Sequence, residues 1–128
     1  MKVLNIILQL YWRLQYPVSL PEDVARALGI QANNNLVFTD FIRLLTSPTT
    51  SPTKLVKYMS RLDAEATFGS ALRKERFSGH SLFSYYFNKG WLGFYLQFDQ
   101  QSRLRRVYVQ HRELTAEQGL ELPLKSSF

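Results

Sequence analysis

The chain contains no cysteine. Disulfides, thiolate zinc sites, iron–sulfur clusters and a cysteine nucleophile are therefore excluded. Histidine is almost as scarce, with His80 and His111 the two in the sequence. His111 and Glu113 could share a strand face, but a metal would need more ligands than that pair. There is no glycine-rich phosphate loop. Long apolar runs are missing too. The N-terminal stretch MKVLNIILQLYWRLQYP is interrupted by Asn5, Gln9 and Arg13. It is too short and polar to span a bilayer, and no small-residue cleavage site follows it. The absence of cysteine fits a reducing compartment, so the expectation is a cytoplasmic protein without a membrane span.

Catalytic constellations are equally sparse. A Ser81–His111–Asp99 triad can be written down, but the sequence has no nucleophile elbow to carry it. Ser81 follows His80 directly, so on a strand the two point to opposite faces. The acidic pairs Glu22-Asp23 and Asp63 with Glu65 read as helix N-terminal charge. The expectation is a non-enzymatic protein with no cofactor, no metal and no identified small-molecule substrate.

What the chain does have is size, rings and positive charge. Its 128 residues, 45% of them hydrophobic, suit one domain able to bury a core. Arginine and lysine number 16 against 10 acids, a net charge of +6. The excess is local. Residues 1–53 carry four bases and three acids, residues 54–112 eleven and four, and residues 113–128 one and three. The positive field of the middle segment would attract anionic partners. Taken alone, RKER at 73–76 reads as a solvated helix end, and RLRR at 103–106 as an ordinary basic run.

Periodicity divides the chain into a helical half, 1–76, and a sheet half, 77–124. Leu4, Ile7, Leu8, Tyr11 and Leu14 predict a helix over 2–16, ended by Pro17. Ser19 with Glu22 forms a capping-box pattern, Pro21 suits a first turn, and Gly29 suits a helix end. Thr39 or Asp40 can cap a short helix that turns Phe41, Ile42 and Leu45 inward. TSPTTSP, 46–52, reads as a hinge within one domain. Residues 52–75 read as helical, with Leu55, Tyr58, Met59, Leu62 and Ala66 on one side and Asp63 as a second cap. After Gly79 the period changes to two, and strands fit 80–87, 91–98 and 103–110. The tail suggests an extended piece at Leu120–Leu124. The predicted fold is α+β. Three to four N-terminal helices would pack on a C-terminal three- to four-stranded antiparallel meander, all within one domain, 1–128.

The stretch EDVARALGI resembles the first helix and turn of helix-turn-helix DNA-binding modules. Ala25 and Gly29 match the small residue and glycine of that pattern. The resemblance implies a recognition helix downstream. Here the loop QANNN is about one residue longer than the pattern. The segment LVFTDFIRLL offers Thr39, Asp40 and Arg43 where several base- and phosphate-contacting donors are needed. A capped structural helix pair accounts for the same residues.

The most distinctive stretch is FSGHSLFSYYFNKGWLGFYLQFD, Phe77 to Asp99, in which nine residues are aromatic. Its register is open at the sequence level. A three-residue loop pairs Phe87 with Trp91 and sends Leu82, Ser84 and Tyr86 to the core. A two-residue loop sends Phe83, Tyr85 and Phe87 there instead. Turn chemistry favours the first, since Lys89 resists positive φ. Core patterning favours the second. On the next strands Leu92, Phe94, Leu96 and Phe98 make one apolar face, matched by Val107 and Val109. That leaves Trp91, Tyr95, Arg106 and Tyr108 together on the other face, with Arg103 and Arg105 at its rim or behind it. An aromatic and basic face of this composition suits a protein-binding module: an adaptor, assembly factor or regulatory subunit meeting an acidic surface, or a second copy of itself. The alternative is a nucleic-acid-binding protein, with single-stranded or structured RNA favoured over specific duplex DNA.

Overall fold

A computed structural model describes residues 18–31, 36–47, 52–87, 90–111 and 119–125. The expected helix over 2–16 and most of the 46–52 hinge lie outside these residues. The described part contains three short helices, α1 (Pro21–Ala27), α2 (Phe38–Thr46) and α3 (Arg61–Ala66). It also contains five strands: β1 (Arg73–Arg76), β2 (His80–Phe87), β3 (Gly90–Phe98), β4 (Leu104–Gln110) and β5 (Leu120–Leu122). All neighbouring pairs are antiparallel, and the strand order β1-β2-β3-β4-β5 follows the chain.

This corrects the predicted architecture, although α+β still describes it broadly. No N-terminal bundle of three to four helices is seen among the described residues, and the sheet has five strands, not three to four. The largest departure is the segment read as a helix over 52–75. Within it Arg61–Ala66 is helical, as α3, but the stretch before α3 pairs with the start of β4 and the turn that precedes it. Tyr58 N–H donates to the Leu104 carbonyl at 2.7 Å, and Leu104 N–H donates to the Met59 carbonyl at 2.9 Å. Val56 and Ser60 form bridges to Lys125 and Arg103. Leu62, placed on the apolar stripe by spacing, is 74% exposed. The run RKER is the edge strand β1, not a helix end. The extended piece expected at Leu120–Leu124 is the fifth strand over Leu120–Leu122, paired with β4.

Local chemistry explains the helix ends. In α1, Pro21 sits in the first turn with Glu22 and Asp23, where negative charge suits the dipole. The Ser19 capping box does not form. Leu20 is the N-cap, no side chain caps the helix, and Ser19 N–H donates to the Tyr86 carbonyl at 2.7 Å. Gly29 ends the helix at φ +81°, and Ile30 N–H reaches back to the Ala25 carbonyl at 2.9 Å. Neither Thr39 nor Asp40 caps α2, which starts from Val37 and stands on apolar contact. In α3 the cap is Ser60, whose hydroxyl accepts from Asp63 N–H at 3.2 Å. Asp63 is the capped residue, not the cap.

The hairpin takes the register that core patterning favoured. Phe87 pairs with Gly90, Tyr85 with Leu92 and Phe83 with Phe94, so the connection is two residues long. Phe83, Tyr85 and Phe87 are buried with Leu92, Phe94, Leu96, Val107, Val109 and Leu122. The helices close over this face. Phe41 and Phe38 meet Phe87 at ring distances of 5.8 and 5.4 Å, and Phe68 meets Phe83 at 5.2 Å. A bulge between Gln97 and Phe98 lets Phe98 pair with Leu104 while Gln97 pairs with Arg106. Arg105 is the extra residue, and the slip carries Leu104 into the core.

Candidate functional site

The side of the sheet away from the helices carries the second set of side chains. Register places Tyr95 opposite Leu82 and Tyr108, Gln97 opposite His80 and Arg106, and Trp91 opposite Tyr86. The core cluster includes none of Leu82, Trp91, Tyr95 and Tyr108. Four rings form a continuous row across this face. Phe77 stacks on His80 with centroids 4.6 Å apart, and His80 stacks on Tyr95 at 5.0 Å. Tyr95 in turn leans on Tyr108 at 6.3 Å, tilted by 52°. At the other end of β3, Tyr86 meets Trp91 edge-on at 5.2 Å, and the Arg73 guanidinium sits 5.3 Å from the Trp91 ring centre.

Of the residues singled out from sequence, the structure brings Trp91, Tyr95, Arg106 and Tyr108 onto one face. Arg106 donates to the Tyr108 hydroxyl at 3.4 Å and pairs with Glu121 at 3.9 Å. The hydrogen bond to Tyr108, then the electrostatic attraction of Tyr108 and Glu121, push the Arg106 pKa up. Arg103 and Arg105 are not on the face. Arg103 follows the β3–β4 turn, where its N–H donates to Asp99 Oδ1 at 3.0 Å. Arg105, thrown out by the bulge, lies over the Tyr58 ring at 4.9 Å and pairs with Asp99 at 3.7 Å. The face is also less basic than its arginines suggest, because Arg73 pairs with Glu75 at 3.9 Å as Arg106 does with Glu121. Sequence reasoning missed Phe77, His80 and Arg73. For His80 the period-two pattern held the signal once the shorter loop was chosen. For Arg73 it did not, since β1 has no apolar alternation.

A buried arginine holds one end of the ring row in place. Arg61, 8% exposed, donates from Nη2 to the Phe77 and His80 carbonyls at 2.6 and 3.1 Å and to Ser81 Oγ at 3.0 Å. Its Nη1 reaches the Ser78 carbonyl at 3.1 Å, and its Nε pairs with Glu65 at 3.3 Å. Each of the three guanidinium nitrogens has a partner, which is what burying this charge requires. The tight β1–β2 connection, and with it Phe77, is thereby pinned to α3.

The residues of the written triad have other roles. The Ser81 hydroxyl donates to Glu65 at 2.6 Å, Asp99 accepts the Gln101 and Arg103 amides, and the His111 ring packs on Phe38 at 5.0 Å. Ser81 and His111 lie at opposite ends of the sheet. Among the described residues no group of three or more histidines and carboxylates could hold a metal ion. No helix among them is long and apolar enough to cross a membrane. Among the described residues, depressions lie beside Lys54 and Ser70 and beside Arg76 and Arg103, and no ring-row residue lines either. No protein-family model, curated protein or solved structure matches the chain.

Proposed function

We propose that the chain is a non-enzymatic protein-binding module, acting as an adaptor, assembly factor or regulatory subunit. Its contact surface is the ring-bearing face of the sheet, with Tyr95 and Tyr108 at the centre and Phe77, Trp91, Arg73 and Arg106 around them. The observation that carries this reading is the row Phe77–His80–Tyr95–Tyr108. It lies outside the core cluster, and Phe77 is 47% exposed. Aromatic and arginine side chains gathered on a flat surface are the residues that anchor protein interfaces. The nucleic-acid alternative is less well supported. Base stacking needs free ring faces, and His80 spends its stacking on Phe77 and Tyr95. Phosphate binding needs unpaired cations, and both arginines here have glutamate partners.

The test is quantitative capture from cell extract with wild type, Tyr95→Ala and a Lys54→Ala control, followed by titration of the purified partner. Tyr95→Ala should weaken binding by about 2 kcal/mol, roughly thirtyfold, and the control by nothing measurable. Equal binding by all three folded proteins would remove this face as the contact surface.

A further inference from the structure

A second site lies on the helix side of the sheet, where β1 ends and β3 turns into β4. A depression of about 350 Å³ is lined by Ser60, Arg61, Leu62, Arg76, Gln101, Ser102 and Arg103. Three of these are arginines and none is an acid. We propose that it binds a phosphate-class oxyanion, with Arg76 and Arg103 as the gripping residues and Arg61 as fixed charge beneath them.

The argument is one of unbalanced charge. Arg61 and Arg76 share one carboxylate: each places Nε 3.3 Å from Glu65 Oε2. The Ser81 hydroxyl donates to the same oxygen at 2.6 Å. One guanidinium charge is left over in this network, and Arg76, with its side chain 62% exposed, carries it to the surface. Arg103 adds a second. Among the described residues no carboxylate pairs with its guanidinium, which has the Tyr58 carbonyl 3.5 Å away. The nearby Asp99 is spent on Arg105 and on the Gln101 and Arg103 amides.

Donors for an oxyanion are also at hand. The Ser60 hydroxyl accepts from Asp63 N–H at 3.2 Å, which leaves its own proton to give. Ser102 and Gln101 bring a hydroxyl and an amide to the same rim. Arg61 is buried and bonded to protein acceptors through all three nitrogens, so direct contact falls to the exposed Arg76 and Arg103, whose planar forks suit phosphate. Leu62 stands 74% exposed at the rim, where it can touch whatever carries a phosphoryl group.

The experiment is calorimetric titration of the full-length chain with inorganic phosphate and with N-acetyl-phosphoserine amide. Ionic strength is held constant with sodium chloride, and each titration is paired with a thermal melt. Saturable one-to-one binding is expected, with a rise in Tm at high ligand. Arg103→Gln and Arg76→Gln should each weaken binding about tenfold or more, and Arg106→Gln on the ring-bearing face should not. Tighter binding of the ester would assign the site to a phosphorylated partner, and tighter binding of inorganic phosphate to the free ion. Either upholds the proposal. Arg76 also pairs with Glu65, so Arg103→Gln decides if Arg76→Gln unfolds. Binding that is absent, unsaturable, unchanged in folded Arg103→Gln, or equally weakened by Arg106→Gln would overturn it. None of these outcomes decides whether the ring-bearing face binds a protein, which the capture experiment with Tyr95→Ala tests separately.

Discussion

Single side chains decide more in this molecule than their sequence context suggests. Arg61 sits in RLDAEA, within the segment whose spacing predicts a helix and off the side that carries Leu62 and Ala66. In the structure it is the buried node that ties α3 to the β1–β2 connection through three carbonyls, a hydroxyl and Glu65. Nothing in the spacing announces this, because its partners are backbone atoms of a distant segment. Replacing Arg61 with Met should cost roughly 3–5 kcal/mol, read as a lowered urea midpoint, since buried acceptors lose their donor. Gly29 was, by contrast, readable. It occupies the left-handed region at φ +81°, and a Cβ there would strike Thr53 Oγ1. Gly29→Ala should therefore destabilise by about 1–2 kcal/mol. Tyr85 gives a pH signature. Burial raises its pKa above the ordinary 10.0, and the Ser70 hydroxyl only partly offsets this. A raised folded pKa means that the stabilisation is complete below the unfolded value and disappears as pH climbs through the folded one. Alkaline titration of stability should show a loss beginning near the ordinary tyrosine pKa and continuing above it. Tyr85→Phe should flatten that limb.

The elements fall into those whose pattern is their own and those set by a neighbour. Strands β2, β3 and β4 were readable almost to the residue, because alternation along each one reports a single buried face. The register was not, since turn chemistry and core patterning disagreed. Burying Phe83, Tyr85 and Phe87 outweighed the turn preference at Lys89. The stretch before α3 misled for a different reason. Leu55 and Met59 keep helical spacing, but β4 and the β3–β4 turn supply hydrogen bonds that a helix would have had to make internally. β1 could not be read at all, and its composition explains its role. An edge strand of Arg, Lys, Glu and Arg is a poor template for another chain. Self-association through that edge is therefore disfavoured. Lys74→Val combined with Glu75→Thr should create concentration-dependent association, visible by light scattering on a sizing column, where the wild-type edge gives none.

At the scale of the whole molecule, rings and unbalanced charge are separated. Both lie in the middle segment of the sequence, where alternation predicts a single aromatic and basic surface. The sheet divides them. The ring-bearing face keeps Arg73 and Arg106, each with a glutamate partner, while Arg61, Arg76 and Arg103 gather on the helix side. Alternation along β4 could not show this, because the bulge at Gln97 and Phe98 redirects Arg105 and Leu104. The separation makes a prediction about nucleic acid. A chain of net charge +6 should bind labelled single-stranded RNA at low salt. That binding should fall steeply with salt and vanish near physiological ionic strength, because it rests on counterion release without stacking. It should be indifferent to Tyr95→Ala and Trp91→Ala, and weakened by Arg76→Gln with Arg103→Gln. Fluorescence anisotropy across a salt series reads all of this in one experiment. RNA binding that persists at physiological salt and is lost with Tyr95 would mean that the ring row opens to accept bases, and the protein-binding assignment would give way to the RNA-binding one.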